Sequence, residues 1–338
     1  MKLSVLDQSP VSSGMTPPQA LRNTIDLARL CDGLGYERYW IAEHHGLSMI
    51  ATSTPEIMIA LCAEATKSIR VGSGAVLLPH YAPLKVAETF RTLEALNPGR
   101  IDLGIGRAPG GDPLDAFALR RTRERAQFDV DDFPQQLVEL LAFLRGGFAP
   151  DHPFSRIRVQ PEGVGAPEVW LLGSSPWSAS AAAQLSLPYA FAHFIGGPAT
   201  EFALGRYKAM FTPSETLPAP KTILSIGALC AETDAEAERL AASSRAVIRR
   251  IRKGLQGVVP SVEEALAELA ADPNPPPEEE SPWPRTFVGS PATVRAGIEA
   301  MAAALGVDEM MILTITHDHA ARRRSYELLA EAFGLQPG

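Results

Sequence analysis

Eight short apolar runs recur along this 338-residue chain, each ending in small or polar residues and each separated from the next by enough chain for a helix. They cover residues 3–6, 39–42, 71–78, 101–106, 169–172, 189–192, 223–229 and 310–315. Strands that alternate with helices build a parallel sheet, and eight of them close into an α/β (β/α)8 TIM barrel. In that architecture chemistry gathers at the carboxyl ends of the strands, so polar residues far apart in sequence can share one site.

One barrel with insertions accounts for the length, so residues 1–338 read as a single domain. The helices between the strands announce themselves. Pro17-Pro18 opens a segment whose apolar residues fall near a 3.6-residue period and which stops at Gly33 and Gly35. Thr54-Pro55-Glu56 marks a second helix running to about Thr66, residues 83–96 form a third, and an amphipathic helix starts at Phe133. The charged stretch 120–125, with four arginines, reads as a solvated helix face. A late insertion spans about 254–286. Within it, residues 272–284 carry six prolines and three adjacent glutamates, which excludes a helix or central strand. This stretch is a mobile loop or a lid, and Trp283 is its one residue able to fold over a ligand.

Formal net charge is −8 with no basic block, so a nucleic-acid partner is not expected. The apolar stretches fall short of the ~20 residues that cross a bilayer, so a cytoplasmic protein is expected. Cys31, Cys62 and Cys230 are odd in number and set among apolar residues, as reduced core thiols are.

Three strand ends carry chemistry. At the fifth run, Gly173-Ser174-Ser175-Pro176-Trp177-Ser178 joins a strand to an alanine-rich helix, where unpaired N–H groups and hydroxyls suit either a phosphate or a plain serine cap. Arg107, at the end of the neighbouring fourth run, adds a fork for phosphate oxygens and tips the reading toward a phosphorylated cofactor. A Rossmann reading of the segment from Gly104 fails, because Pro109 stands where the third glycine belongs. At the second run, Glu43-His44-His45 can ligate a metal, act as acid and base, or hydrogen-bond loop backbone. Of these the metal reading is weakest, since the first strand ends in Leu6-Asp7-Gln8 rather than His-x-His. At the third run, Gly72-Ser73-Gly74-Ala75 lets a flat ligand approach the backbone, or marks a bulge.

With these pieces in order, the chain resembles the bacterial luciferase-like flavin-dependent oxidoreductases over nearly its whole length. The matching pieces are Ala42-Glu43-His44-His45, the Gly-Ser-Gly-Ala-Val-Leu-Leu-Pro segment from Gly72, residues 99–107, Gly173-Ser174-Ser175, and Phe287-Val288-Gly289-Ser290-Pro291 with Asp308-Glu309-Met310-Met311. The resemblance implies a barrel that binds FMN, or in some branches the deazaflavin F420, at the strand ends. It implies a phosphate cradle of Arg107, Gly173, Ser174, Ser175 and Ser178, a non-prolyl cis peptide at Gly74-Ala75 under the ring, and His44 as acid or base. His44 would then titrate near neutrality. Gln8, His45 and His193 are candidates for the substrate pocket. Gly106 stands where the luciferase alpha subunit has a reactive cysteine, so light emission from a long-chain aldehyde is not expected.

The function implied is a monooxygenase that uses reduced FMN, supplied by a separate flavin reductase, and O2 to oxygenate a small organic substrate. An F420-dependent hydride-transfer enzyme and a flavin-binding protein without turnover are the alternatives. No resident metal is expected, and a metal hydrolase barrel ranks behind all of these. Specificity would sit in the loops 107–132 and 254–286, and a homodimer would form through helices near 54–65 and 83–96.

Overall fold

The computed structural model describes residues 1–108, 110–119, 132–272 and 280–337. The arginine-rich stretch 120–125 and residues 273–279 of the proline-rich segment lie outside the described residues.

All eight apolar runs become strands of one closed parallel barrel. In barrel order these are β1 (Lys2–Asp7), β2 (Arg38–Ile41), β3 (Arg70–Ser73), β5 (Ile101–Gly106), β6 (Glu168–Gly173), β7 (Tyr189–Ala192), β8 (Thr222–Cys230) and β10 (Glu309–Leu313). Closure comes from β10, which pairs with β1 through Val5↔Ile312 and with β8 through Met311↔Ser225. Helices cover the outer faces, so the strands are buried on both sides and read as unbroken apolar runs.

The run 71–78 is not one strand. It breaks at Gly74-Ala75, whose peptide bond is cis, and resumes as β4 (Val76–Leu77), which pairs with the end of β5. A further short strand, β9 (Thr286–Gly289), stands outside the barrel and pairs with the end of β8 through Cys230↔Gly289.

The expected helices form where their signals lie. α1 (Pro17–Leu34) starts with Gln19 accepting from the Thr16 N–H at 2.9 Å, and it stops at Gly35, whose φ of 85° suits a residue without Cβ. α2 (Pro55–Ala65), α3 (Pro83–Leu96) and α5 (Phe133–Arg145) follow the sequence bounds closely. Two later helices, α10 (Ala242–Arg252) and α11 (Val262–Ala271), belong to the segment between β8 and β9, so part of the late insertion is regular. The strap between them docks on the barrel mouth. Val259 donates to the Val11 carbonyl at 2.9 Å and its own carbonyl accepts from Ser13 at 2.8 Å, while Met49, Val247 and Val259 form a small apolar cluster.

Inside the barrel, inward-facing residues stack in layers. At the amino end lies an ion network that the sequence reading did not anticipate. Arg38 is 2% exposed and binds Glu309 at 2.8 Å and Asp102 at 2.7 Å, and Asp102 also accepts from Arg70. Above it Trp40 and Trp170 meet edge to face, 5.5 Å apart, with Trp40 Nε1 donating to Asp102 at 2.9 Å. On this aromatic floor the next inward positions are small: Ala42, Gly74, Gly106, Ala190 and Ala192. A wide base and a small-residue top leave space at the carboxyl end, where the site lies. No helix among the described residues is long and apolar enough to cross a membrane.

Candidate functional site

The space above the Trp pair is a cavity of ≈330 Å³ at the carboxyl ends of the strands. Nine sequence-chosen residues line it: Gln8, His44, Gly74, Ala75, Arg107, Gly173, Ser174, Ser175 and Ser178. They come from five strand ends, which the barrel brings around one opening.

On one side β5 and β6 are paired, with Ile105 opposite Leu171. That pairing sets Arg107, two residues past Ile105, beside the loop that leads into α6 (Pro176–Gln184). Its guanidinium lies 4.5 Å from the centre of the Trp177 ring, so the first turn of α6 holds the cation over that turn. Ser175 is the N-cap of α6 but makes no side-chain capping bond, and Pro176 has no N–H. The hydroxyls of Ser174 and Ser175 have no hydrogen-bond partner among the described residues, and they line the cavity beside the positive end of the helix. This donor set suits a dianion. A side chain at Gly173 would meet Ser178 Oγ at 2.2 Å, so glycine is what lets the end of β6 pack against the first turn of α6.

Ser178 lines the cavity and also holds the turn before it. Its hydroxyl donates to the Ser175 carbonyl at 2.8 Å and lies 3.0 Å from the Tyr189 hydroxyl. It is 5% exposed. Ser178 therefore fixes the turn that presents Ser175, with its hydrogen already committed inside the protein.

His44 extends from the end of β2 into the cavity. Its Nδ1 is closed to the cavity and has no hydrogen-bond partner among the described residues, an arrangement that costs free energy. Burial, with the neighbouring His45 adding to it, lowers the His44 pKa from 6.5 to about 4. This corrects the expectation of titration near neutrality: His44 is a neutral imidazole at pH 7.

His45 and His193 are absent from the cavity wall. His45 Nε2 pairs with Glu43 at 2.8 Å, and its ring packs edge-on to His80. His193 is fully buried, with Nδ1 2.7 Å from the Thr200 hydroxyl and Nε2 3.2 Å from the Pro284 carbonyl. A strand-end histidine satisfied at both nitrogens holds loops together. Trp283 is not in the wall either; it packs against the main core.

Among the wall residues not chosen individually from sequence, Glu43 and Ser225 carry an acidic and a hydroxyl side chain. Glu43, 3% exposed, accepts from Leu77 N–H at 3.0 Å and from the Tyr81 hydroxyl at 2.7 Å, in addition to its His45 contact. It ties β4 to the His44 loop. Ser225 lies mid-strand on β8 inside an apolar run, so nothing in its neighbours flags it.

A family model described as luciferase-like monooxygenase matches residues 1–309. The luciferase-like monooxygenase of Escherichia coli strain K12 is 37% identical over 325 residues, spanning 96% of this chain and 95% of that one. The N-acetyl-S-alkylcysteine monooxygenase of Bacillus subtilis strain 168 is 33% identical, over 98% of each chain. The crystal structure of apo-MsnO8 superposes with a TM-score of 0.90 at 47% identity, covering 100% of this chain and 99% of that one. Solved structures of 13% to 23% identity share the fold, among them one in complex with FMN and one with an F420–acetone adduct.

Proposed function

Because the chain belongs to the luciferase-like monooxygenase family, we propose that it is an FMN-dependent monooxygenase, taking reduced FMN and O2 to oxygenate a small organic substrate. One observation carries this reading. A guanidinium and an uncapped helix N-terminus, on adjacent strands, face the same cavity as a histidine whose buried nitrogen lacks a partner.

Arg107 binds phosphate oxygens, with the hydroxyls of Ser174 and Ser175 and the N–H groups of Trp177 and Ser178 completing the cradle. Gly74 and Ala75 give a flat ring room to lie against the backbone. When bound, the reduced flavin supplies the two electrons that activate O2. His44, neutral at pH 7, exchanges one proton with the bound molecules through Nε2. Leu6, Leu172, Phe194 and Met311 keep the wall apolar and exclude water from the reaction.

The nicotinamide-dependent step belongs to a separate flavin reductase in this reading. Among the described wall residues Arg107 is the one arginine or lysine, which suits FMN better than the longer, more anionic tail of F420. Titration with FMN, reduced FMN, riboflavin and F420 tests the assignment. Arg107→Ala should weaken FMN binding about tenfold or more while leaving riboflavin nearly unchanged. Equal losses for the two would remove Arg107 from the phosphate role, and preferential binding of F420 would replace the cofactor.

A further inference from the structure

Two polar side chains in the cavity have no assigned work. Gln8 is 8% exposed and Ser225 5% exposed, and both line the cavity. Neither side chain has a hydrogen-bond partner among the described residues, and the polar atoms of both are open to the cavity. Water in the cavity satisfies both groups, and a ligand that displaces that water loses affinity unless it reproduces the hydrogen bonds. A bound ligand that covers this part of the wall therefore has to offer them a polar atom.

Their position in the barrel says what kind of partner. Ser225 on β8 is directly opposite Met311 on β10, and Gln8 follows β1, the other neighbour of β10. The two therefore flank one strand. Counted around the barrel, β8 and β1 each stand three strands from β5, the strand that ends at Arg107. The polar pair and the phosphate cradle thus occupy opposite sides of the opening. Around the pair the wall is apolar, formed by Leu6, Ala190, Ala192 and Met311.

We propose that Gln8 and Ser225 are specificity-determining residues that hydrogen-bond one uncharged oxygen, of a carbonyl or a hydroxyl group, on a substrate whose remaining surface is apolar. The amide and the hydroxyl can each donate, and a carbonyl or hydroxyl oxygen can accept from both. An anionic substrate group would need a cation on this side of the cavity, and among the described wall residues the arginine stands across from it. Sites built to hydrogen-bond a substrate oxygen discriminate against analogues that lack it, because their own polar groups are then left unpaired. This inference rests on reading the cavity as a joint flavin and substrate site.

Four probes test it on the purified protein by calorimetry or ligand-observed NMR, with and without FMN: cyclohexanone, cyclohexanol, methylcyclohexane and cyclohexanecarboxylate. The two neutral oxygenated probes should bind more tightly than the hydrocarbon and the carboxylate, and the better of the two identifies the group recognised. Ser225→Ala and Gln8→Leu should each reduce the preference for the oxygenated probe over methylcyclohexane about threefold to tenfold, with FMN affinity unchanged. An unchanged preference in both variants overturns the proposal. So do carboxylate binding as tight as that of the ketone, a wild-type protein that binds neither oxygenated probe, and an equal loss of FMN affinity, which would assign the pair to the flavin. Failure of the wild-type protein to bind FMN while the probe preference persists would instead refute the proposed function and leave this pair standing.

Discussion

His44 shows how a residue can be located from sequence while its electrostatics cannot. Its place after a strand was legible from the Glu43-His44-His45 cluster, but the burial that lowers its pKa to about 4 depends on chain segments folded over it. The sign of the consequence is fixed. The folded pKa lies below the unfolded 6.5, so the unfolded chain takes up the proton first as pH falls. Stability from this residue is complete above about 6.5 and drains away between there and about 4, by roughly 3 kcal/mol. NMR titration of the His44 ring should give a midpoint near 4, and His44→Gln should flatten the acid side of the stability profile; a midpoint between 6 and 7 would contradict the burial argument. The place of Ser174 and Ser175 in the cavity wall was legible because they directly follow a strand end and precede a helix. Ser225 was not, because alternation inside a barrel is hidden when both faces of a strand are buried. His193 misled for the opposite reason: its position fits a site, and its two hydrogen bonds show that it holds loops instead.

At the scale of elements, the eight barrel strands could be read because each is a compact apolar run ended by a turn. The break in residues 71–78 is hidden from periodicity, since apolar residues continue on both sides of Gly74-Ala75, and only the bulge reading of the small residues and the cis peptide implied by the resemblance pointed to it. Glu43 braces that break, its carboxylate accepting from the Leu77 N–H and from the hydroxyl of Tyr81. Glu43→Ala strands both donors in a buried place, and it should cost about 2 to 4 kcal/mol in urea unfolding. A loss under 1 kcal/mol would mean that water or a shifted side chain takes over the carboxylate's bonds. The short β9 was also missed as a strand; it follows the proline-rich stretch directly and completes no barrel position.

Across the whole molecule, stability and function sit at opposite ends of the barrel. The Arg38–Asp102–Glu309 network closes the amino end, and Asp102→Ala would leave Arg38 without its closest carboxylate and Trp40 Nε1 without its acceptor. A loss of about 3 to 5 kcal/mol in denaturant unfolding is expected, with the cavity at the far end retaining its flavin affinity. On the outside, Ile57 and Leu61 are 56% and 48% exposed one turn apart on α2, which supports the proposal of a homodimer through this face. Ile57→Glu together with Leu61→Glu should yield a monomer in analytical ultracentrifugation; a wild-type monomer would end that proposal. The aromatic floor has one more use. Trp40 and Trp170 pack with the residues that line the cavity, and Trp177 lies in its wall. A yellow chromophore entering there would accept their excitation energy, so indole emission should dim in proportion to occupancy, giving every titration above an intrinsic optical readout.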